Sequence, residues 1–236
     1  MIDAGTVEVL HADPDLAVGV DPAHLAAARH ACLAARAELP RGDWDPATAS
    51  PPAADGFGLL LLAGFLVRRV GRGGRFGAEL VGPGDLLRPW QTIGAVASTP
   101  FEPSWRVVAP AELAVLDADF VARAAPYPSV AIALVDRAML RARQLALTMA
   151  VVQQTRVDRR LHALLWQLAD RWGRTGRDGV SVEVPLTHEL LAELVAARRP
   201  SVTTALSALA AAGQVERQGG RWLLRGGPPE EIVDLL

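Results

Sequence analysis

Residues 186–206 read LTHELLAELVAARRPSVTTAL. Thr187 is a good N-cap for a short helix, and the leucines at 190, 191 and 194 would supply the apolar face of that helix. A short turn is predicted at Val195–Arg198, and Pro200 stands where a proline favours the start of a second helix. Two short helices joined by a tight turn are typical of DNA-binding helix–turn–helix motifs.

The second helix of this motif has an apolar face and a face rich in hydroxyl groups. We expect it to bury Val202, Ala205, Leu206 and Leu209, and to expose Ser207 among its polar residues. Arg199 opens the helix, where its guanidinium can meet a guanine in the major groove, whereas Arg198 is better placed for phosphate. The candidate DNA-binding residues are Thr187, Arg198, Arg199, Ser201, Thr203, Thr204 and Arg221.

A hairpin is predicted after the second helix. Gly213 would end the helix, and Gln214–Arg217 could pair with Arg221–Arg225 as the wing of a winged helix. Between residues 152 and 227 the chain has 11 arginines and seven acids, and this local excess of positive charge suits a phosphate backbone. The alternative interpretation is a helix–turn–helix that serves only as a packing unit.

Two helices are predicted before the motif, at Ser129–Gln154 and Val157–Trp172. The first carries two apolar stripes at alternating three- and four-residue spacing, which indicates cover on two sides. Either it is an ordinary buried helix, or it packs on its own barrel and on a partner subunit. One stripe is Ile132, Val135, Met139, Ala142, Ala146 and Met149. The other supplies the residues assigned to dimerisation, which are Leu134, Ala138, Arg141, Leu145, Thr148 and Val152.

The region before these helices is predicted to be a small barrel or sandwich of strands. Short strands are expected at Phe57–Val70, Phe76–Val81, Trp105–Val108 and Glu112–Leu116, separated by glycine- and proline-rich turns. Before them, a helix is expected at Asp21–Leu39, followed by a proline-rich linker or surface loop at residues 40–52.

These patterns divide the chain into five parts. The expected parts are an N-terminal extension (1–52), a β-roll (53–125), a dimerisation helix (126–154), a winged-helix domain (155–227) and an acidic tail (228–236).

The C-terminal pattern resembles the winged helix of the Crp–Fnr family of bacterial transcription regulators. The resemblance rests on the helix containing Arg160 and Leu161, the entry Pro185–Thr187, the start of the second helix at Arg199, and the wing. It implies an α+β fold, with an N-terminal β-roll (a double-stranded β-helix-like barrel), a long dimerisation helix and a C-terminal winged helix–turn–helix. It also implies a homodimer that binds a palindromic operator in double-stranded DNA, with RNA polymerase as a candidate partner.

The chain departs from the family at both of its functional ends. In the motif, Ala196, Arg198 and Pro200 stand where the family usually has glycine, serine and glutamate. In the roll, neither the Gly-Glu element nor the phosphate-binding arginine of cyclic-nucleotide binders follows the turn at residues 82–85. We therefore expect a degenerate sensor that does not bind cyclic nucleotides and whose effector is unknown. Candidate effector-binding residues are Arg88, Trp90 and Arg106.

Composition restricts the remaining function classes. All 24 basic residues are arginines, so mechanisms that use a lysine are excluded. Cys32 is the only cysteine, and its helix neighbours His24 and His30 do not complete a recognisable metal site, so neither a metal nor a cofactor is expected. No catalytic motif is found and no enzymatic activity is expected. With no signal peptide and no apolar stretch long enough to span a bilayer, we expect a cytoplasmic protein without a membrane partner. The rival functions are a protein-interaction module that no longer binds DNA, and a regulator gated by a small molecule in a non-standard pocket.

Overall fold

The structure is a computed structural model that describes residues 5–46, 55–72, 75–90 and 102–229. The chain divides into two compact units. The first comprises Met1–Gly74 and Leu80–Arg143, and the second comprises Arg75–Glu79 and Gln144–Leu236.

The N-terminal part is built on a seven-stranded sheet. Its strands are β1 (Thr6–Glu8), β2 (Leu33–Leu39), β3 (Gly42–Trp44), β4 (Gly58–Arg72), β5 (Arg75–Val81), β6 (Leu86–Leu87) and β7 (Glu102–Leu116). The order is β1-β2-β7-β4-β5, with β3 paired to β7 and β6 paired to β4. This sheet, followed by a long helix and a helix–turn–helix, confirms the predicted fold class.

Helices cover part of this sheet and close its core. They are α1 (Val9–Ala12), two 3₁₀ helices (Pro14–Ala17 and Pro22–His24), α2 (Leu25–Ala31), α3 (Ala118–Ala124) and α4 (Pro128–Gln153). One hydrophobic cluster joins Leu16, Leu60, Phe120 and Leu134, and a second cluster lies around Trp105. Helix α4 begins and ends within one residue of the prediction.

The ladder between β4 and β7 contains a bulge at Gly64. The pairing of the two strands shifts between Ala63 and Phe65. Gly64 has φ +81°, and a Cβ there would lie 2.1 Å from the carbonyl oxygen of Pro110. The bulge explains why the predicted strands Trp105–Val108 and Glu112–Leu116 are instead one strand, because it admits Pro110, which has no N–H to donate to a regular ladder.

The predicted helix at Asp21–Leu39 is wrong in its second half. Helix α2 ends at Ala31, and β2 follows and pairs antiparallel with β7 from Ala35 to Leu39. Arg36 of β2 donates a 2.9 Å hydrogen bond to Glu112 of β7. A sequence rich in alanine and leucine favours a helix locally, but here the long-range ladder prevails over that propensity.

The expected division between an N-terminal extension and the roll is therefore also wrong. Strands β1, β2 and β3 belong to the same sheet as the rest of the roll. Strand β3 lies inside the predicted linker, where Trp44 pairs with Trp105. Residues 47–54 and 91–101, the turn at Gly73–Gly74 and residues 230–236 of the acidic tail lie outside the described residues.

The C-terminal unit is a winged helix. Its elements are α5 (Val157–Trp172), β8 (Gly173–Gly176), β9 (Gly179–Val182), α6 (His188–Leu194), α7 (Arg199–Ala211), β10 (Val215–Gln218) and β11 (Arg221–Leu224). The strands form a four-stranded sheet in the order β10-β11-β9-β8. The bounds of α5 are those predicted, because its amphipathic pattern stops at Gly173. The β8–β9 hairpin was not predicted.

Candidate nucleic-acid interface

Helix α6 is fixed at its start by a capping residue and along its length by buried leucines. The Oγ1 of Thr187 accepts a 3.1 Å hydrogen bond from the N–H of Leu190. Leu190, Leu191 and Leu194 are buried. The N-cap role of Thr187 is thus confirmed, and the cap determines where the first helix of the motif begins.

The turn after α6 has the hydrogen bonds of a Schellman motif. The N–H of Ala196 donates to the carbonyl of Glu193 (3.3 Å), and the N–H of Ala197 donates to that of Ala192 (2.9 Å). Ala196 has φ +50° and is the one non-glycine residue with positive φ in the described part of the chain. This turn directs the chain into α7, and an alanine holds a conformation that favours glycine.

Helix α7 begins at Arg199, as predicted. Arg198 is its N-cap residue with an extended backbone, and Pro200 lies in the first turn. The buried side of α7 consists of Val202, Ala205, Leu206 and Leu209. The other side is exposed to solvent, so the first two turns of α7 are free to enter a groove.

A single arginine links this turn to the end of α4. Arg160, on α5, donates through Nη1 to the carbonyls of Val195 and Ala196, both at 3.2 Å. Its Nε donates to the carbonyl of Gln154, directly after α4. The sequence pointed to Arg160 only as part of the family pattern, and its contact with the turn could not be inferred from spacing.

A second polar contact joins α6 to α7. The Nδ1 of His188 lies 3.0 Å from the Oγ1 of Thr203. This pairing was also missed, because it depends on the angle between the two helices.

The wing places one candidate DNA-binding residue on its second strand. Arg221 is exposed on β11 and pairs with Gln218 of β10. In the same hairpin, hydrogen bonds from the side chains of Gln218 and then Arg225 hold the pKa of Glu216 below its usual value. Of these two bonds, the one from Arg225 reaches across the hairpin to β10, whereas the one from Gln218 lies within β10.

All seven predicted DNA-binding residues are exposed, and six of the seven lie in the helix–turn–helix motif. Thr187 is on the cap of α6, Arg198 precedes α7, and Arg221 is on the wing. Helix α7 contributes the other four, which are Arg199 at its start, Ser201, Thr203 and Thr204. Contact with DNA remains a prediction for each of them.

The core beneath the motif contains a buried histidine. The Nε1–H of Trp166 donates a 3.0 Å hydrogen bond to Nε2 of His162. Burial lowers the pKa of His162, which favours the neutral imidazole that this bond requires.

The candidate effector-binding residues differ in how they lie relative to the core of the roll. On β7, Trp105 and Val107 are buried and Arg106 between them is exposed, with its Nε 3.8 Å from a carboxylate oxygen of Asp43. Trp90 packs against the cluster around Trp105. Arg88 is exposed just after β6. The described contacts therefore bring Trp90 and Trp105 to one hydrophobic cluster, whereas Arg88 and Arg106 are exposed.

Leu134 was assigned to dimerisation, and this assignment is wrong. Its side chain is fully buried in the core of its own chain. Arg141, on the same side of α4, donates a 3.0 Å hydrogen bond to the carbonyl of Leu86, and the hydroxyl of Thr148 donates to the carbonyl of Gln144. Ala138 is exposed, whereas Leu145 and Val152 are half-buried.

The other stripe of α4 faces solvent. Five of the six large exposed apolar side chains among the described residues lie on this helix. The stripe's seven-residue repeat consists of Ile132, Val135, Met139, Ala142, Ala146 and Met149, and every one of them is exposed. We call these six residues the α4 stripe.

Neither a membrane-crossing helix nor a metal-binding cluster is found in the part of the chain that the structure describes. No helix there is long and apolar enough to cross a membrane. No group of three or more His, Cys, Asp or Glu side chains there is arranged to hold a metal ion. Cys32 is buried, and burial raises the pKa of its thiol to about 11.

Comparison with known proteins identifies the C-terminal domain. Residues 159–225 match the family model described as a Crp-like helix-turn-helix domain. The winged helix of the C-terminal unit is therefore similar to the Crp-like helix-turn-helix domain. No curated protein sequence matches the chain.

Solved structures with a similar fold extend the comparison beyond residues 159–225. A CooA mutant from Carboxydothermus hydrogenoformans is similar with a TM-score of 0.60 and 14% identity over 85% of this chain and 86% of that one. FixK2 from Bradyrhizobium japonicum is similar with a TM-score of 0.59 and 16% identity, over 86% of this chain and 96% of that one. A cyclic nucleotide-binding domain containing protein from Listeria monocytogenes EGD-e is similar with a TM-score of 0.60 and 16% identity, over 80% of this chain and 87% of that one. The match over residues 159–225 confirms the resemblance of the C-terminal domain to the Crp–Fnr family of transcription regulators, and the solved structures share the fold of most of the chain.

Proposed function

We propose that the protein is a homodimeric transcription regulator that recognises a specific operator through α7. The observation that carries the proposal is the exposed polar side of α7, which begins with Arg199 and is anchored by buried Val202 and Leu206. Such a helix places its N-terminal side chains against base edges in the major groove. The protein would act on chromosomal DNA in the cytoplasm.

Arg199 and Arg198 have different roles in this proposal. Arg199 forks onto O6 and N7 of a guanine, whereas Arg198, outside the helix, meets a phosphate. Arg199→Ala should weaken operator binding by ~1–3 kcal/mol and relax the preference at one guanine in each half-site. Arg198→Ala should weaken all duplexes about equally and reduce the salt dependence of binding.

Binding-site selection followed by fluorescence anisotropy over a range of salt concentrations tests both roles. An Arg199→Ala variant that selects the same motif as the native protein would show that another residue recognises the guanine. A protein that binds no duplex, even at low salt, would leave the alternative of a protein-interaction module.

Dimerisation is proposed to occur through the α4 stripe. The stripe repeats every seven residues, as in a two-stranded coiled coil, and Ile132 and Met139 are 61% and 53% exposed. On the other side of α4, Arg137 makes a 3.0 Å ion pair with Asp13 of the same chain, so that side is already covered. A two-fold dimer makes the operator palindromic, with half-sites about one helical turn apart, ~10 base pairs.

Sedimentation tests the dimer. Ile132→Asp combined with Met139→Asp should yield folded monomers that lose tight operator binding. Ala122→Asp, at an exposed position on α3, is the matched control and should remain dimeric. A native protein that sediments as a monomer at micromolar concentration would refute this part of the proposal.

The roll is proposed to be a sensor domain that does not take cyclic nucleotides. Arg106 points away from the buried cluster that contains Trp105, so it is not available to a phosphate inside the roll. Calorimetry with cyclic AMP and cyclic GMP should show no binding at micromolar concentrations. Micromolar binding of either would favour a regulator gated by a small molecule.

RNA polymerase is the proposed partner of the DNA-bound dimer. Transcription in vitro from a promoter that contains the selected operator should change when the dimer is added. The direction of that change distinguishes activation from repression.

A further inference from the structure

Three of the four hydroxyl groups of α7, those of Thr203, Thr204 and Ser207, share one arrangement. The hydroxyl of Thr203 donates to the carbonyl of Arg199 (3.2 Å) and that of Thr204 to the carbonyl of Pro200 (3.2 Å). The hydroxyl of Ser207 donates to the carbonyl of Thr203 (3.0 Å). A hydroxyl has one hydrogen and two lone pairs, so each of these groups has only acceptor capacity left for an outside partner.

Thr204 is the best placed of the three to use that capacity. Thr203 is less accessible to an outside partner, because its Oγ1 already lies 3.0 Å from Nδ1 of His188 on α6. Thr204 is exposed and lies within the first two turns, on the side away from buried Val202 and Leu206. Ser207 is exposed as well but lies three residues further from the start of the helix.

The remaining exposed surface of α7 offers little else that could distinguish bases. After Arg199 the helix contains only Pro, Ser, Val, Thr, Ala and Leu. It has no amide or further charged side chain, so any hydrogen bond beyond that of Arg199 has to come from a hydroxyl.

The major groove offers two partners to a hydrogen-bond acceptor. Adenine N6 and cytosine N4 carry the amino groups, whereas the guanine and thymine edges present acceptors. Threonine also carries a methyl group, and an A·T pair displays the thymine methyl, which a C·G pair lacks. An acceptor oxygen beside a methyl group therefore matches an A·T pair better than a C·G pair.

Building on the proposed function, we propose that Thr204 determines specificity by accepting a hydrogen bond from N6 of one adenine in each half-site. Arg199 and Thr204 then divide the recognition between them, since Arg199 has only donors and recognises acceptors on guanine. The preference for A·T is a property of Thr204, separate from the guanine preference of Arg199.

The test combines a change in the protein with a change in the DNA. Thr204→Val keeps the shape of the side chain but removes the oxygen. Binding-site selection with this variant should lose the adenine preference at one position per half-site and keep the guanine. On the native operator, replacing that adenine by purine, which lacks the 6-amino group, should weaken the native protein about fivefold. The same replacement should leave binding of Thr204→Val unchanged, because the two changes remove the same bond.

Two more variants complete the design. Thr204→Ser keeps the oxygen and should keep the adenine preference. Thr175→Val, at an exposed threonine on β8, is the control and should select the native motif. Thermal unfolding of each variant, followed by circular dichroism, verifies that the proteins compared are folded.

Three results would overturn the proposal. The first is a Thr204→Val variant that selects the native motif unchanged. The second is a purine replacement that weakens Thr204→Val as much as the native protein at every adenine, and the third is coupling of Thr204 to a cytosine. A native protein that binds no duplex DNA would instead refute the proposed function, and the assignment of Thr204 with it.

Discussion

Replacing Ala196 by glycine should stabilise the protein. The residue holds φ +50° at the end of α6, a conformation that costs a side chain about 1–2 kcal/mol relative to glycine. Because Ala196 is exposed, removing its methyl group forfeits little packing. Glycine also increases the entropy of the unfolded chain, which offsets roughly 0.5–1 kcal/mol. The expected net gain in the free energy of unfolding is about 0.5–1 kcal/mol.

Denaturant unfolding followed by tryptophan fluorescence measures this gain. The matched control is Ala212→Gly, at the end of α7, where the exposed alanine has φ −77° and no strain to relieve. That variant should lose stability by about 1 kcal/mol or less. If Ala196→Gly lowered stability as Ala212→Gly does, the turn would not be strained and the reasoning would fail. Operator affinity should change little, since both hydrogen bonds of the turn come from backbone N–H groups.

Three further predictions concern buried Leu134 and His162 and half-buried Arg160. Leu134→Ala should lower the free energy of unfolding by ~2–5 kcal/mol, measured by denaturant titration, because it opens a cavity in the core; a loss below about 1 kcal/mol would contradict this burial. Arg160→Ala should lower it by ~1–3 kcal/mol and weaken all operators alike in anisotropy, because the carbonyls of the turn lose their donor; an altered binding motif would contradict this role. Burial lowers the pKa of His162 in the folded protein, whereas in the unfolded chain this histidine is protonated as the pH falls below about 6.5. Acid therefore favours the unfolded chain. Unfolding titrations at pH 7.5 and 5.5 should therefore show a smaller loss of stability for His162→Gln than for the native protein; an equal loss would exclude His162 as the cause.

The helix–turn–helix could be predicted from sequence because its signals are local. Each signal determines a helix end only a few residues away. These signals are the cap at Thr187, the proline at 200 and the glycine at 173 that ends α5. The bounds of α5 and the start of α7 therefore agree with the prediction. Arg160 acts across 35 and 36 residues, and nothing in the local sequence specifies that distance.

The errors arise where distant partners decide the structure. Leu33–Leu39 has the composition of a helix, and only its ladder with β7 makes it a strand. The two stripes of α4 have the same spacing, so the sequence shows that both are apolar but not which one the chain covers itself. Leu134 is buried and Ile132 is exposed because the core lies on one side of the helix.

The pairing of β2 with β7 also has a consequence during synthesis. The bond between Arg36 and Glu112 joins residues 76 positions apart, so β2 leaves the ribosome well before its partner strand exists. At ~5–20 residues per second, that interval lasts about 4–15 seconds. During this time the side of β2 that later pairs with β7 is an open edge, and the charges of Arg36 and Glu38 on β2 discourage pairing with other nascent chains. Apart from Arg75–Glu79, the second unit comes from one continuous segment that starts at Gln144 and faces no such delay, so the N-terminal unit is where co-translational misfolding should concentrate.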